Sequence, residues 1–146
     1  MTDLRKMYDD LVRFETMVWA AVDARLQAES ELTLSNLNVM LVIDSTVDCR
    51  VLDIAEALAI TVGGTSQAVD RLEKRGLCVR RANPTDRRSS IVELTAEGTT
   101  ALRRAEPVFD AELARLLSDP LSETQLTSVA SGLQQLRVAM SPAASS

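Results

Sequence analysis

At 146 residues with a net charge of −5, the chain is sized for one domain that buries a core without staples, and its longest uncharged apolar runs, 17–22 and 39–43, fall far short of the ~20 residues of a membrane span. It contains no histidine, which removes Ser-His-Asp and Cys-His nucleophilic arrangements, and it lacks a glycine-rich phosphate loop, so enzyme, cofactor and metal readings fall away. Two distant cysteines, Cys49 and Cys78, make neither a disulfide framework nor a zinc site, and an acidic N-terminus with no basic-then-apolar order carries no secretory signal, so the chain is expected in the cytoplasm.

Leu4, Met7, Tyr8, Leu11, Val12, Phe14, Val18, Ala21, Val22 and Leu26 recur at helical spacing and predict a long first helix from about Asp3 to Glu29. A second begins near Ser35, after Leu32-Thr33-Leu34, presents Leu37, Met40 and Leu41, and ends around Thr46. The third is short, about Leu52 to Leu58, with Ile54, Ala55 and Leu58 on one face. Thr61 stands at the N-cap of a fourth, whose expected buried stripe is Val62, Val69 and Leu72 and which closes at Gly76 after Lys74 and Arg75. The tight Ala59-Ile60 connection makes the third and fourth a helix-turn-helix, with the fourth as recognition candidate.

Past Gly76 the pattern turns to strand. Leu77 and Val79, then Ile91, Val92 and Leu94, flank the turn sequence Asn83-Pro84-Thr85-Asp86 and predict a two-stranded hairpin. Thr95 caps a fifth helix, with Glu97 in its first turn and a bend expected at Pro107, that runs to about Leu117. Ser122 caps a sixth that carries Leu126, Val129, Leu133 and Leu136, and the polar tail 141–146 is expected to be disordered. The reading is therefore a single mainly α domain: a winged helix-turn-helix lobe at about 33–95, with terminal helices at about 3–30 and 96–140. The apolar stripes of those terminal helices are surfaces that a monomer rarely exposes, and they predict a two-fold homodimer.

Charge is distributed unevenly. Residues 71–88 carry Arg71, Lys74, Arg75, Arg80, Arg81, Arg87 and Arg88 against Glu73 and Asp86, or +5, which leaves −10 for the remainder. An acidic chain that concentrates positive charge in one short segment has a footprint for a polyanion such as double-stranded DNA.

The run 70–98, DRLEKRGLCVRRANPTDRRSSIVELTAEG, resembles the signature of the multiple antibiotic resistance regulator (MarR) family, in which D-R-L-E-x-x-G-L ends the recognition helix, N-P-x-D-R-R tips the wing and L-T-x-x-G closes it. The resemblance implies a homodimer joined through its terminal helices that binds a palindromic operator with two winged lobes. It also implies release from DNA by a small aromatic acid or an oxidant. Two departures stand out: Gly63 and Gly64 at the start of the recognition helix, and the absence of cysteine from the first helix, where the peroxide-sensing branch has its thiol.

Thr65, Ser66 and Gln67 are expected in the exposed first turns of the recognition helix, where Gln pairs bidentately with adenine and Ser or Thr with several bases. Gly63 and Gly64 either bring backbone N–H groups close to a phosphate or are neutral there. In the wing, the family resemblance implies that Asp86 orients Arg88, and Arg87 or Arg88 is the candidate for an A·T-rich minor groove. Arg71, Lys74, Arg75, Arg80 and Arg81 are expected to meet phosphates or to solvate the face. Tyr8, Met17, Trp19 and Met40 line a small-ligand cavity in one reading and are ordinary core in the other. Cys49, beside Arg50 in a polar loop, and Cys78, on the first wing strand, are either inert or a thiol switch. The competing functional reading is a dimeric ligand-binding or protein-interaction module that keeps the fold without specific DNA binding.

Overall fold

The computed structural model describes residues 1–142 and arranges them as α1 (Leu4–Glu29), α2 (Leu34–Ser45), α3 (Val51–Leu58), α4 (Val62–Lys74), β1 (Cys78–Ala82), β2 (Ser90–Leu94), α5 (Ala96–Leu113), a π-helical turn (Ala114–Ser118) and α6 (Glu123–Ala139). The element order is the expected one, and the winged-helix class with a two-stranded wing is observed. Residues 1–109 form one unit and the chain from Asp110 onward a second. Of the tail read as disordered, residues 143–146 lie outside the described residues. No helix among the described residues is long and apolar enough to cross a membrane.

In the first unit, α2 is the central element, with Leu34, Leu37, Val39, Met40 and Ile43 all buried. Burial on several sides of one helix requires neighbours on each, and these are α1, α3, α4 and β2, whose buried side chains include Val22, Leu26, Ile54, Val69, Leu72, Ile91 and Val92. Each such side chain contributes about 1.5–3 kcal/mol on leaving water. Local hydrogen bonds fix where α2 starts: the Thr33 hydroxyl accepts from the Asn36 N–H at 3.1 Å, and the Asp23 carboxylate of α1 accepts from the Leu34 N–H at 2.9 Å. The N-terminal half of α1 is exposed on every face from Leu4 to Met17.

Helix α4 ends in a Schellman motif. The Gly76 N–H donates to the Glu73 carbonyl, the Leu77 N–H donates to the Leu72 carbonyl, and Gly76 adopts φ +73°, a conformation that costs glycine nothing. The strands then pair antiparallel, with Cys78 opposite Leu94 and Ala82 opposite Ser90. Residues 49 and 50 add a third short edge that the sequence did not reveal: Arg50 bridges Ile91, and the Val92 N–H donates to the Cys49 carbonyl at 2.7 Å. Thr95 closes the base of the wing. Its hydroxyl donates to the Gly76 carbonyl at 2.6 Å and accepts from the Gly98 N–H at 3.0 Å, while its own N–H donates to the Leu77 carbonyl at 3.1 Å.

Three expectations change. Val62, read as part of the buried stripe of α4, is 51% exposed, and Thr65 takes the inward position instead. The fifth helix passes through Pro107 and gives way at Ala114 to a π-helical turn, a departure that the sequence does not announce. Cys49 does not sit in a polar, activating loop: both thiols are buried, and burial pushes each up from 9.0 to about 11, outweighing the opposing influence of Arg50 on Cys49 and of Arg80 on Cys78. A buried thiol held in its protonated form lacks the thiolate character of a redox sensor.

Two outcomes follow from this packing. A methyl group on Gly98 would stand 1.9 Å from the Leu77 carbonyl oxygen, so Gly98→Ala must displace the carbonyl that also receives the Thr95 N–H, and urea denaturation should show a loss of about 1–3 kcal/mol. Both cysteines should resist iodoacetamide at neutral pH in the native protein and react together on unfolding. Because the folded state holds the thiol protons more tightly, stability should also fall as pH rises from about 9 towards about 11.

Candidate nucleic-acid interface

Helix α4 is amphipathic. Thr65, Ala68, Val69 and Leu72 face inward, and Gly63, Gly64, Gln67, Arg71 and Lys74 are exposed. The Thr61 hydroxyl caps the helix by accepting from the Gly64 N–H at 3.0 Å. Thr65, expected to meet bases, is fully buried, with its hydroxyl donating to the Thr61 carbonyl at 2.8 Å. That local bond satisfies the polar atom, so the residue packs through its methyl group and leaves the outer face. Ser66 is half-buried, and Gln67 is the exposed amide of the first turns.

The seven basic residues of 71–88 separate into two sets. Arg75 reaches away from the wing and donates to the Glu31 carbonyl at 2.8 Å and to the Asn36 side chain at 3.3 Å. Arg80 pairs with Asp70 at 2.7 Å and Glu73 at 3.5 Å. Arg81 bonds Glu93 at 2.7 Å and Asp48 at 3.3 Å, and these acids hold its guanidinium even more firmly charged than usual. Arg71, Lys74, Arg87 and Arg88 are exposed and have no ion-pair or side-chain hydrogen-bond partner among the described residues. Of the seven cations that make the segment basic, four are available to an external anion.

The wing tip is a self-bonded loop. The Asn83 carboxamide oxygen accepts from the Thr85 N–H and hydroxyl, and its amide nitrogen donates to the Ser89 hydroxyl. Asp86 accepts from the backbone N–H of Arg88 at 2.9 Å. The acid therefore holds the Arg88 main chain, not the guanidinium that the family resemblance implies, and both wing-tip arginines are exposed. The N-terminus of α3 is fixed similarly: the Asp53 carboxylate accepts from the Arg50 N–H at 2.8 Å, and its bonds with Arg50 hold it below the usual carboxylate range.

The expected ligand-lining residues are not brought together. Met40 is fully buried in the core, whereas Tyr8 and Met17 are 69% and 70% exposed. Trp19 lines a groove, of about 340 Å³, that it shares with Val39 of α2, Leu58 of α3, Ile60 of the α3–α4 connection, and Ala68 and Arg71 of α4. Arg71 was thus legible as a basic residue of α4 but not as part of a cavity wall, because the groove is formed by side chains from four helices.

The MarR family model matches residues 32–90, the span from the start of α2 through the wing. An uncharacterised HTH-type transcriptional regulator of Bacillus cereus is 33% identical over 95 residues, which cover 65% of this chain and 63% of that relative, so the chain spans less than two thirds of its length. Among solved structures, Sco3205 of Streptomyces coelicolor, a MarR family transcriptional regulator crystallised with DNA, superposes with a TM-score of 0.87 at 24% identity over 94% of this chain and 88% of that one. CouR of Rhodococcus jostii, crystallised with p-coumaroyl-CoA, gives 0.76 at 26% identity over 86% and 87%. The helix-turn-helix and wing thus match the MarR family model in sequence, and nearly the whole chain has the fold of MarR winged-helix structures.

Proposed function

We propose that the chain is a cytoplasmic, homodimeric transcription regulator that binds a palindromic operator in double-stranded DNA, acts as a repressor and is released by a small aromatic ligand. The observation that carries this reading is the pairing of Gln67, Arg71 and Lys74 on the outer face of α4 with Arg87 and Arg88 at the wing tip, which have no side-chain partner among the described residues. A helix with an exposed amide among free cations suits the major groove, and arginines on a narrow loop suit the minor groove. Sco3205 in its complex with DNA lends the fold a precedent. Gln67 then reads bases, Arg71 and Lys74 meet phosphates, and Arg87 or Arg88 enters the minor groove.

Exposed apolar side chains support the homodimer. Leu4, Met7, Tyr8, Leu11 and Phe14 stand on the surface of α1, and Val129, Leu133, Leu136 and Val138 on that of α6. A second copy is the partner that would cover them and set two α4 helices about one DNA turn, 34–36 Å, apart.

The charge allocation makes binding quantitative. Four available cations per protomer give eight per dimer, so the slope of log affinity against log salt should be about −7. A monomer would give about −4, and a dimer using all seven basic residues about −13. Lys74→Ala should flatten the slope by about two, one for each protomer, and Arg87→Ala or Arg88→Ala should weaken operator binding by about 1–3 kcal/mol. Unchanged affinity in both wing variants would remove the wing from the mechanism.

The groove beside Trp19 supports the ligand response. It is mostly apolar, carries the Arg71 cation at one wall and falls at the small end of ligand-site volumes. An aromatic acid held there would draw Arg71 away from a phosphate. Trp19 is the only tryptophan, so titration with a panel of aromatic carboxylates should quench its fluorescence saturably and weaken operator binding over the same concentration range. Quenching without loss of DNA affinity would separate the groove from regulation.

A further inference from the structure

Arg80 belongs by sequence to the basic segment, yet its guanidinium faces the molecule's own α4. Its side chain is only 22% exposed. One terminal nitrogen lies 2.7 Å from the Asp70 carboxylate and 3.5 Å from that of Glu73, and the other donates to the Ser66 carbonyl at 3.2 Å and lies 3.4 Å from the Ser66 hydroxyl. The Arg80 backbone N–H also donates to the Glu73 carboxylate at 2.9 Å. Ser66, Asp70 and Glu73 follow one another at i, i+4 and i+7, so one side chain from β1 engages two full turns along a single stripe of α4.

We infer that Arg80 is a positioning residue for DNA recognition: it clips α4 to the wing and neutralises Asp70, without itself contacting DNA. This rests on the DNA-binding reading above. Two physical consequences define the role. A planar guanidinium that bonds a carbonyl and a carboxylate fixes the rotation of the helix about its axis, which decides where Gln67 points. Asp70, exposed on the same helix as Arg71 and Lys74, would otherwise present an uncompensated negative charge beside a phosphate backbone. Sequence choice depends on both, because base contacts need the helix held in register, whereas non-specific binding needs only the free cations.

The test compares the full chain with Arg80→Met, which keeps the length of the stem and removes the charged fork, and with Arg80→Met combined with Asp70→Asn. Affinity is measured as a function of salt on two probes: a duplex selected from a random-sequence pool by the parent protein, and the unselected pool itself. Arg80→Met should lower affinity for the selected duplex at least tenfold, leave affinity for the pool within about threefold, and keep the salt slope within about half a unit of the parent. The Asp70→Asn addition should recover part of the lost affinity. A salt slope flattened by one or more, with both probes weakened in parallel, identifies Arg80 as a phosphate contact and overturns the inference. A parent protein that binds neither probe overturns the DNA-binding reading instead. The clip is then judged by amide hydrogen exchange of α4 in the free variant, where unchanged protection overturns it and faster exchange along 66–73 sustains it.

Discussion

The contact on which the rest of the lobe depends is the close approach of Gly98 to the carbonyl of Leu77. It brings the first turn of α5 against the chain leaving α4, at the point where Thr95 ties the end of β2 to Gly76 and Leu77. Three elements therefore meet at one carbonyl and one hydroxyl. The hairpin between them has its origin and direction set at its base, so the wing tip some ten residues away is aimed by backbone geometry more than by side-chain packing. The polar residues of the tip satisfy one another, and Arg87 and Arg88 are left without internal duties.

The same economy applies to charge. Arg75 holds the end of α4 to the turn before α2, Arg81 ties β1 to Glu93 and Asp48, and Arg80 spans the Ser66–Asp70–Glu73 stripe of α4. Each of these arginines is matched by an acid or a carbonyl. Surface ion pairs of this kind contribute little to stability one by one. Their effect here is to orient elements and to remove positive charge from the outward face, leaving a smaller and better-defined set of cations than the composition of 71–88 suggests.

The helices, the Thr61 and Thr95 caps, the Gly76 terminus and the hairpin were legible in the sequence because each is set by short-range chemistry: periodicity, capping and turn residues. What was not legible depends on contacts across the chain. Thr65 reads as a polar residue of an exposed first turn, but its hydroxyl is satisfied by the carbonyl four residues earlier, so the side chain is free to face the core. Met40 reads as a candidate ligand contact, but it lies on the part of α2 that the surrounding elements cover and is fully buried. The partners of Arg80 lie 7–14 residues back along the chain and become neighbours only after β1 has folded against α4. The Arg50–Ile91 bridge joins residues 41 positions apart, and no local pattern marks it.

Helix α1 has two halves with different energetics. From Val18 onward it is partly or fully anchored by Val22, Leu26 and the Asp23 bond to α2; from Leu4 to Met17 it has the Asp3 cap and ion pairs such as Arg13–Asp9 but no buried side chain. A helical stretch of that length is marginal in water when nothing covers it. Its order is therefore the least costly to lose in an isolated copy of the chain and depends on whatever lies against it. To the extent that a second copy does so, the apparent stability of the protein becomes a function of its own concentration, and dilution alone would fray the N-terminal turns well before the winged lobe unfolds.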